Sequence, residues 1–542
     1  MDQNVIELLD KIRDSIGADY VIDSTNTLKA LETATFKTNQ RILAIVHPGN
    51  VPELQKCLEF ANEYKVSVHP ISTGRNIGYG SSVPTQDNSI LLSLSRLNSI
   101  LDYNDSLGFV TIEPGVTQGQ LYDFLKANGG KFWMDATGGP LNHSIIGNIL
   151  ERGWGHTPYG DHFDNACGME VVLPSGELIR TGHGQFENAK ATSVYRWGIG
   201  PYVDGLFTQS NFGIITKLTV WLMPTPSYFQ AFYFSSKNYG DLPIIIDTLR
   251  PLFLDGTIKS AMHIANDYKV LASFQRYPLK SVKGVTPLPL SELEKLAKAW
   301  DFGAWNGAGA IYGSRKEVAL ARAKIKSALR NSPIKKLRFL DDTDIKIATK
   351  FQGVLKKVLR LDVPEMLKIL DPVYNLTKGV PSNAFLESVY WRKTHSENQT
   401  PLTPEKDGCG LIWISPMAPA LGQCADEMWR IINSVFIKYS FEPAVSITML
   451  TGRAMDAIIS ITYDRDIPGE DDRAMSCHDE VLKDLTVKGY IPYRAGLQTL
   501  GKFPVANPSY INFLQALKNA IDPNNILAPG KLGLLNEKSE NI

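Results

Sequence analysis

The run His69-Pro70-Ile71-Ser72-Thr73-Gly74-Arg75-Asn76-Ile77-Gly78-Tyr79-Gly80 reads as the end of a strand opening into a loop rich in glycine and small polar residues. Gly74, Gly78 and Gly80 permit unusual φ values and close backbone approach, so N–H groups can face an anion. Ser72, Thr73 and Asn76 add side-chain hydrogen bonds. Such a loop can hold a pyrophosphate, and the same pattern also makes ordinary surface turns. Just upstream, Leu54, Leu58 and Ala61 share one helical face, and Lys65 to Ile71 reads as a short strand. Downstream, Ile90 to Leu94 and Phe109 to Glu113 read as strands, and Gln118 to Asn128 as an amphipathic helix with Leu121, Phe124 and Leu125 facing inward. The elements alternate without a dinucleotide-binding G-x-G-x-x-G.

A second glycine-rich stretch runs from Gly138-Gly139-Pro140 through Ser144-Ile145-Ile146-Gly147-Asn148 to Arg152-Gly153-Trp154-Gly155-His156-Thr157-Pro158-Tyr159-Gly160-Asp161-His162. Two separated loops could flank one extended ligand, or serve as tight connections between packed elements. Met169 to Leu173 and Glu177 to Thr181 bracket Pro174-Ser175-Gly176 and predict a hairpin. After Pro224-Thr225-Pro226 the texture shifts to longer helical stretches, including Ser291 to Trp300 and Lys316 to Leu329, so a second domain is expected to begin near Ser227.

With 542 residues the chain exceeds what one core usually serves. Apolar residues make up 43% and charged residues 21%, which predicts a soluble, compact protein. Lys plus Arg and Asp plus Glu each number 56, so nothing in the balance attracts nucleic acid or anionic lipid. The first ten residues lack the basic start and apolar run of a secretory signal, and no apolar stretch is long enough to span a membrane. A cytoplasmic or periplasmic protein follows. Five scattered cysteines, without C-x-x-C or C-x-x-C-H spacing, predict buried thiols and argue against a disulfide framework, a metal site or an attached haem.

Together these segments resemble the vanillyl-alcohol oxidase and p-cresol methylhydroxylase family of FAD enzymes. The resemblance is carried by Ser72 to Gly80, Gly147 to His162, Gly168 to Gly182, Asp204 to Lys217 with its Thr208-Gln209-Ser210-Asn211-Phe212-Gly213 core, Tyr493-Arg494, and Asp522 to Gly533. It implies an α+β fold: a two-lobed FAD-binding domain of the p-cresol methylhydroxylase type, residues 1–225 completed by 490–542, with an α/β cap domain, 226–489, over the flavin. By that match Ser72, Thr73, Gly74, Arg75, Asn76, Gly78, Ser144, Gly147, Asn148, Gly155, Thr157, Asp161, His162, Gly213 and Ile214 are expected to bind the cofactor. Lys531 is expected near the flavin pyrimidine ring, where it favours the reduced anion. Asp161 and His162 could form an acid–base pair, but a structural role in that segment is the preferred reading.

The resemblance further implies that Tyr79, Tyr493 and Arg494 bind a phenolic oxygen, and that Trp154 and Trp413 line the substrate pocket. A phenol ionises near pH 10, so a nearby cation and donors are needed to favour the anion. The implied reaction is hydride transfer from a para-alkylphenol to flavin N5 through a quinone methide, then water addition. Read singly, Tyr79 could be a loop aromatic and Arg494 a solvated edge residue. Met449 and Asp456 align nearby, and neither is assigned as the base for water.

Departures from the family's oxidases choose between its branches. Leu411 stands where they carry a flavin-linking histidine, which argues against a histidyl-flavin, and Gly138 or its neighbours stand where they carry an aspartate near N5. Both features favour the methylhydroxylase branch, which implies a separate c-type cytochrome subunit as electron acceptor; a homo-oligomer is also expected. Tyr390 is the candidate for a tyrosyl-flavin bond, or else a buried aromatic in a strand, and an insertion between Trp391 and Gly408 blurs the match. The alternatives are an oxygen-using oxidase, an FAD-linked 2-hydroxy acid dehydrogenase and a non-catalytic flavin-binding subunit.

Overall fold

The computed structural model describes residues 2–352, 363–393, 401–504 and 507–531, with the side chains of 363–369 left aside. The insertion expected before Gly408 falls partly, and the Leu532-Gly533 end of the tail motif wholly, outside the described residues.

The first sheet holds β1 (Val21–Ile22), β2 (Ile42–Val46), β3 (Val68–Ile71) and β4 (Ser89–Ser93) in the order β1-β2-β4-β3. The last three run parallel and β1 is antiparallel. The helix Val51–Tyr64 crosses from β2 to β3 and buries Leu54, Cys57, Leu58 and Ala61, the face its periodicity predicts. Asn50 caps its start by accepting from the Glu53 N–H, and Lys65 ends it in the left-handed conformation. Lys65 is therefore a helix cap, and the strand expected from it begins only at Val68. The glycine-rich loop leaves the carboxyl end of β3, where open α/β sheets form their crevices.

The chain continues through β5 (Ile100–Asn104), β6 (Phe109–Ile112), β7 (Phe132–Trp133), β8 (Ala166–Val172), β9 (Leu178–Arg180), β10 (Ile214–Trp221) and β11 (Met223–Pro224). Five of these form an antiparallel sheet, β5-β6-β10-β8-β9, and β7 pairs with β11. The predicted hairpin is β8 with β9, Val172 opposite Leu178. The tail returns to the first sheet: the Val68 N–H donates to the Ile526 carbonyl at 2.8 Å, and the Ala528 N–H to the Val68 carbonyl at 2.8 Å. Lys518, fully buried, fastens it by donating to the carbonyls of Asn211 (2.8 Å) and Leu527 (3.0 Å) and pairing with Asp522 at 2.6 Å.

Beyond Ser227 the helices Leu290–Trp300 and Arg315–Leu329 form as expected, but the segment's largest feature is a sheet. It comprises β12 (Tyr228–Ser236), β13 (Met262–Asn266), β14 (Trp305–Gly313), β15 (Lys336–Leu340), β16 (Cys409–Ile414), β17 (Met417–Pro419), β18 (Ala444–Met449) and β19 (Ala454–Asp464). Seven run antiparallel in the order β15-β12-β14-β13-β18-β19-β16, with β17 on β19. The glycines and alanines of β14 hide the strand, since they have little β preference of their own. Their partners supply it: Phe232 lies opposite Gly309 and Phe234 opposite Gly307. A Cβ on Gly307 would sit 2.1 Å from Phe234 Cζ, so the ring occupies the missing side chain's place. Gly410 and Tyr463 repeat the device. Gly307→Val is expected to cost roughly 1–3 kcal/mol through overpacking, read as a lowered thermal midpoint.

Alternation along the central strands makes this sheet two-sided. Met262, Ile264, Ile447, Met449, Ala457 and Ile459 point into the main apolar core, which the helices Leu242–Leu254, Gly422–Lys438 and Glu470–Val487 complete. The residues between them, His263, Ala265, Ser446, Thr448, Asp456 and Ile458, all face a cavity.

Candidate active site

That cavity has a volume of about 1010 Å³. One wall is the polar face of the large sheet and the other is built by the two glycine-rich loops and the Tyr493-Arg494 turn. Of the residues expected to bind cofactor or substrate, Arg75, Asn76, Tyr79, Asn148, Trp154, Trp413, Tyr493 and Arg494 line it.

Tyr79 is held by its backbone, which donates to the Asn76 carbonyl (3.0 Å) and accepts from the Leu497 N–H (2.9 Å). Its hydroxyl shares a hydrogen bond with Ser415 Oγ at 2.9 Å, and the Tyr493 N–H donates to the Ser415 carbonyl at 3.1 Å. One residue thus ties both tyrosines. The Arg494 guanidinium lies 4.0 Å from the centre of the Tyr79 ring and donates to Asn76 Oδ1 at 2.8 Å. It is 3.7 Å from Glu151, which Lys531 approaches to 3.0 Å. Two cations therefore share one carboxylate, and the local sum is positive. Burial opposes ionisation of Glu151, but Lys531 and Arg494 outweigh it and hold the carboxyl below its usual range. Burial raises Tyr79 and Tyr493, so both hydroxyls keep their protons at neutral pH. Arg494 Nε is buried without a protein partner.

The loop after β3 fits a dinucleotide pyrophosphate. The backbone N–H groups of residues 73–77 find no acceptor among the described residues, and the next, Gly78, donates to Thr35 Oγ1 at 3.2 Å. A row of free amides is an anion nest. Gly147 brings the second loop against the first, because a Cβ there would stand 2.9 Å from Ser72 Oγ. Ser144 caps the helix Ile145–Leu150 by accepting from the Gly147 N–H. Gly78 carries a positive φ of 78°, and a Cβ on it would meet the Trp413 indole at 2.1 Å.

Other expected residues lie outside the cavity lining. Gly213 lies against Val171 and Phe207, and Ile214 opens β10 in the apolar core. His162 does not pair with Asp161: it contacts Asp135 Oδ1 at 3.0 Å and Asn148 Oδ1 at 2.6 Å. Asp161 accepts from the Asp164 N–H instead. Asp135, unnoticed in the sequence, is the hub of this loop. It also accepts from the N–H groups of His156 (3.0 Å) and Thr157 (2.7 Å), and Gly155 has no room for a Cβ beside it.

Tyr390 lies in a 3₁₀ segment, Ala384–Tyr390, and not in a strand. It is fully buried, and its hydroxyl donates to Asp407. Its neighbours Ser388 and Val389 line the cavity and Tyr390 does not. Acid precipitation of the holoenzyme is accordingly expected to leave the FAD in the supernatant; flavin retained in the pellet would show a covalent bond. Cys57, Cys167, Cys409 and Cys477 are buried, and burial pushes each thiol up to about 12. No helix among the described residues is long and apolar enough to cross a membrane.

The sheet wall adds residues the sequence reading left unassigned. Asp456 is buried, its Oδ1 has no partner, and burial pushes it up to about 7, partly offset by the Thr448 hydroxyl. His263 stands opposite Thr448, bonded to its hydroxyl at 3.1 Å, and its ring lies 4.6 Å from that of His156. Burial lowers both imidazoles.

Known proteins resemble this chain along nearly its whole length. Residues 42–182 match the family model described as FAD binding domain. The chain is 39% identical to the 1'-carboxy-chondrochloren decarboxylase of Chondromyces crocatus, over 97% of this chain and 96% of the relative. It is 30% identical to the 4-cresol dehydrogenase (hydroxylating) flavoprotein subunit of Pseudomonas putida, over 96% and 92%. A crystal structure of p-cresol methylhydroxylase with substrate bound superposes with a TM-score of 0.88 at 28% identity, covering 100% of this chain and 98% of that one. The chain thus belongs to the vanillyl-alcohol oxidase and p-cresol methylhydroxylase family of FAD-dependent oxidoreductases.

Proposed function

We propose that the enzyme oxidises para-substituted phenols at the benzylic carbon. The observation that carries this reading is the convergence of Tyr79, Tyr493 and Arg494 on one cavity where the nearby charges sum positive. The two tyrosine hydroxyls donate to the phenolic oxygen, and Arg494 supplies the charge that favours its ionised form. Ring electrons of the phenolate then weaken the benzylic C–H bond. Bound FAD supplies the two-electron acceptor for the hydride lost there. The substrate becomes a para-quinone methide, electrophilic at that carbon. Water adds to it, Asp456 takes the proton that water releases, and the phenolate is restored as a benzylic alcohol. Trp154 and Trp413 flank the ring.

In this reading residues 1–225 and 490–542 form the FAD-binding domain and 226–489 the cap. Docking of the tail on β3 supports the first division, and the cavity-facing sheet supports the second. Electrons leave to a c-type cytochrome subunit within an oligomer; support comes from the Pseudomonas putida relative, named a flavoprotein subunit.

A second fate for the quinone methide is favoured by the 39% identity, over nearly the full length, to a decarboxylase. If the carbon next to the benzylic one bears a carboxylate, its C–CO₂ bond can break instead of water adding. The released electron pair forms the side-chain double bond, the ring regains its phenolate, and carbon dioxide departs.

Anaerobic mixing with 4-alkylphenols, followed by oxygen or oxidised cytochrome c, tests the first reading. Rapid bleaching of the flavin, reversed by cytochrome c and not by oxygen, is expected. No bleaching by any alkylphenol would refute the phenol assignment.

A further inference from the structure

Lys269 sits on the short helix Asp267–Ala272 that follows β13, and it lines the cavity. Its ammonium lies 4.5 Å from the centre of the Trp413 ring and donates to Ser460 Oγ at 3.1 Å. Among the described residues no carboxylate comes within ion-pair distance of it. Asp267 on the same helix is occupied, accepting from the Tyr239 hydroxyl at 2.7 Å. Asp456 shares the cavity, but burial alone sets the titration of Lys269, which it lowers to about 7.

Lys269 is half-buried, and an ammonium stripped of much of its water without a counter-ion is costly; such groups are paired or lose their proton. Here the unfilled partner position opens onto the ligand cavity. His263 Nε2 and Ser446 Oγ, also on that wall, are buried without partners and supply further polar contacts. The Trp413 indole links this place to the phenol end. It packs on Gly78, next to Tyr79, and carries Lys269 over its ring.

We propose that Lys269 binds a carboxylate on the para side chain of the substrate, so that the preferred substrates are 4-hydroxyphenyl compounds with a short acidic arm. This rests on the phenol reading above and makes the substrate two-headed. Phenolate at Arg494 and carboxylate at Lys269 fix both ends of the ring and hold the benzylic carbon between them. A carboxylate bound there also keeps the Lys269 proton in place.

Anaerobic reduction of the FAD holoenzyme by 3-(4-hydroxyphenyl)propanoate and by its methyl ester, below pH 7, tests this. The two share ring and chain length and differ in charge. The acid is expected to show an apparent dissociation constant at least about tenfold lower than the ester. That ratio is expected to fall towards one in Lys269→Met and in Lys269→Gln. Equal constants in the wild-type enzyme would overturn the proposal even if neither variant folds, and so would a preference that survives both substitutions. 4-Ethylphenol separates the two levels. If it reduces the flavin while acid and ester bind alike, the carboxylate site alone is lost; if none of the three reduces it, the phenol reading falls and takes this proposal with it.

Discussion

Replacing Arg494 by methionine is expected to slow flavin reduction by 4-alkylphenols about 10²–10³-fold at pH 7. A cation close to a phenol lowers its pKa by roughly 1–3, and the reactive species is the phenolate. The cavity makes the cation indispensable. Burial raises the neighbouring Tyr79 and Tyr493 hydroxyls, and a substrate phenol in the same space meets the same cost. Methionine keeps the aliphatic volume over the Tyr79 ring but removes the charge, leaving Lys531 and Glu151 as a neutral pair. Lys531 still neutralises Glu151, so FAD content should not change.

Arg494→Lys should fall between the two, because it restores a charge without the fork that reaches Asn76. The rate in the methionine variant should also recover as pH rises towards the ionisation of the free phenol. Anaerobic stopped-flow absorbance measures each rate. A loss of less than threefold at pH 7, or one with no recovery at high pH, would remove Arg494 from phenol activation.

Why some of this was legible in the sequence and some was not is a matter of where each signal resides. The loop from Ser72 to Gly80 announces itself because free amides need glycine and small polar residues in adjacent positions. The helix Val51–Tyr64 and the β8–β9 hairpin follow from local periodicity and turn chemistry. Strand β14 does not, since Gly307 and Gly309 become strand residues only under Phe234 and Phe232, some seventy residues earlier. Tyr79, Tyr493 and Arg494 are ordinary residues until the fold joins them, and only the family resemblance marked them in advance. Asp135, His263, Lys269 and Asp456 depend on cross-strand and cross-loop neighbours that no local window contains. Tyr390 shows how order alone misleads about local structure, since the strand it could have occupied is a 3₁₀ segment and its hydroxyl bonds to Asp407.

Asp456→Asn is expected to lower hydroxylated product formation about 10²-fold while making the protein more stable above pH 7. Both effects come from one fact: burial pushes this carboxyl up to about 7. In the unfolded chain an aspartate titrates near 3.9. Between these values the native state holds a proton that the unfolded state has released, so stability falls as pH rises from about 4 to about 7. Above 7 the full cost is present, on the order of a few kcal/mol, since each tenfold change in a proton's binding constant is worth about 1.4 kcal/mol. Asparagine carries no such cost.

The variant should therefore gain in thermal midpoint over the wild type at pH 8 and not at pH 4. Asp267, also raised to about 7 by burial, titrates identically in both proteins and drops out of the difference. Activity has the opposite sign. The ionised form accepts the proton from water, so wild-type product formation should rise with pH through about 7, and the variant should lose that limb while its flavin still bleaches with substrate. Calorimetric midpoints at the two pH values, set beside product yield, decide the matter. A variant that is no more stable at pH 8 and hydroxylates normally would show that Asp456 is neither strained by burial nor used by water. A variant that is more stable and inactive would identify the place where this fold gives up stability for chemistry.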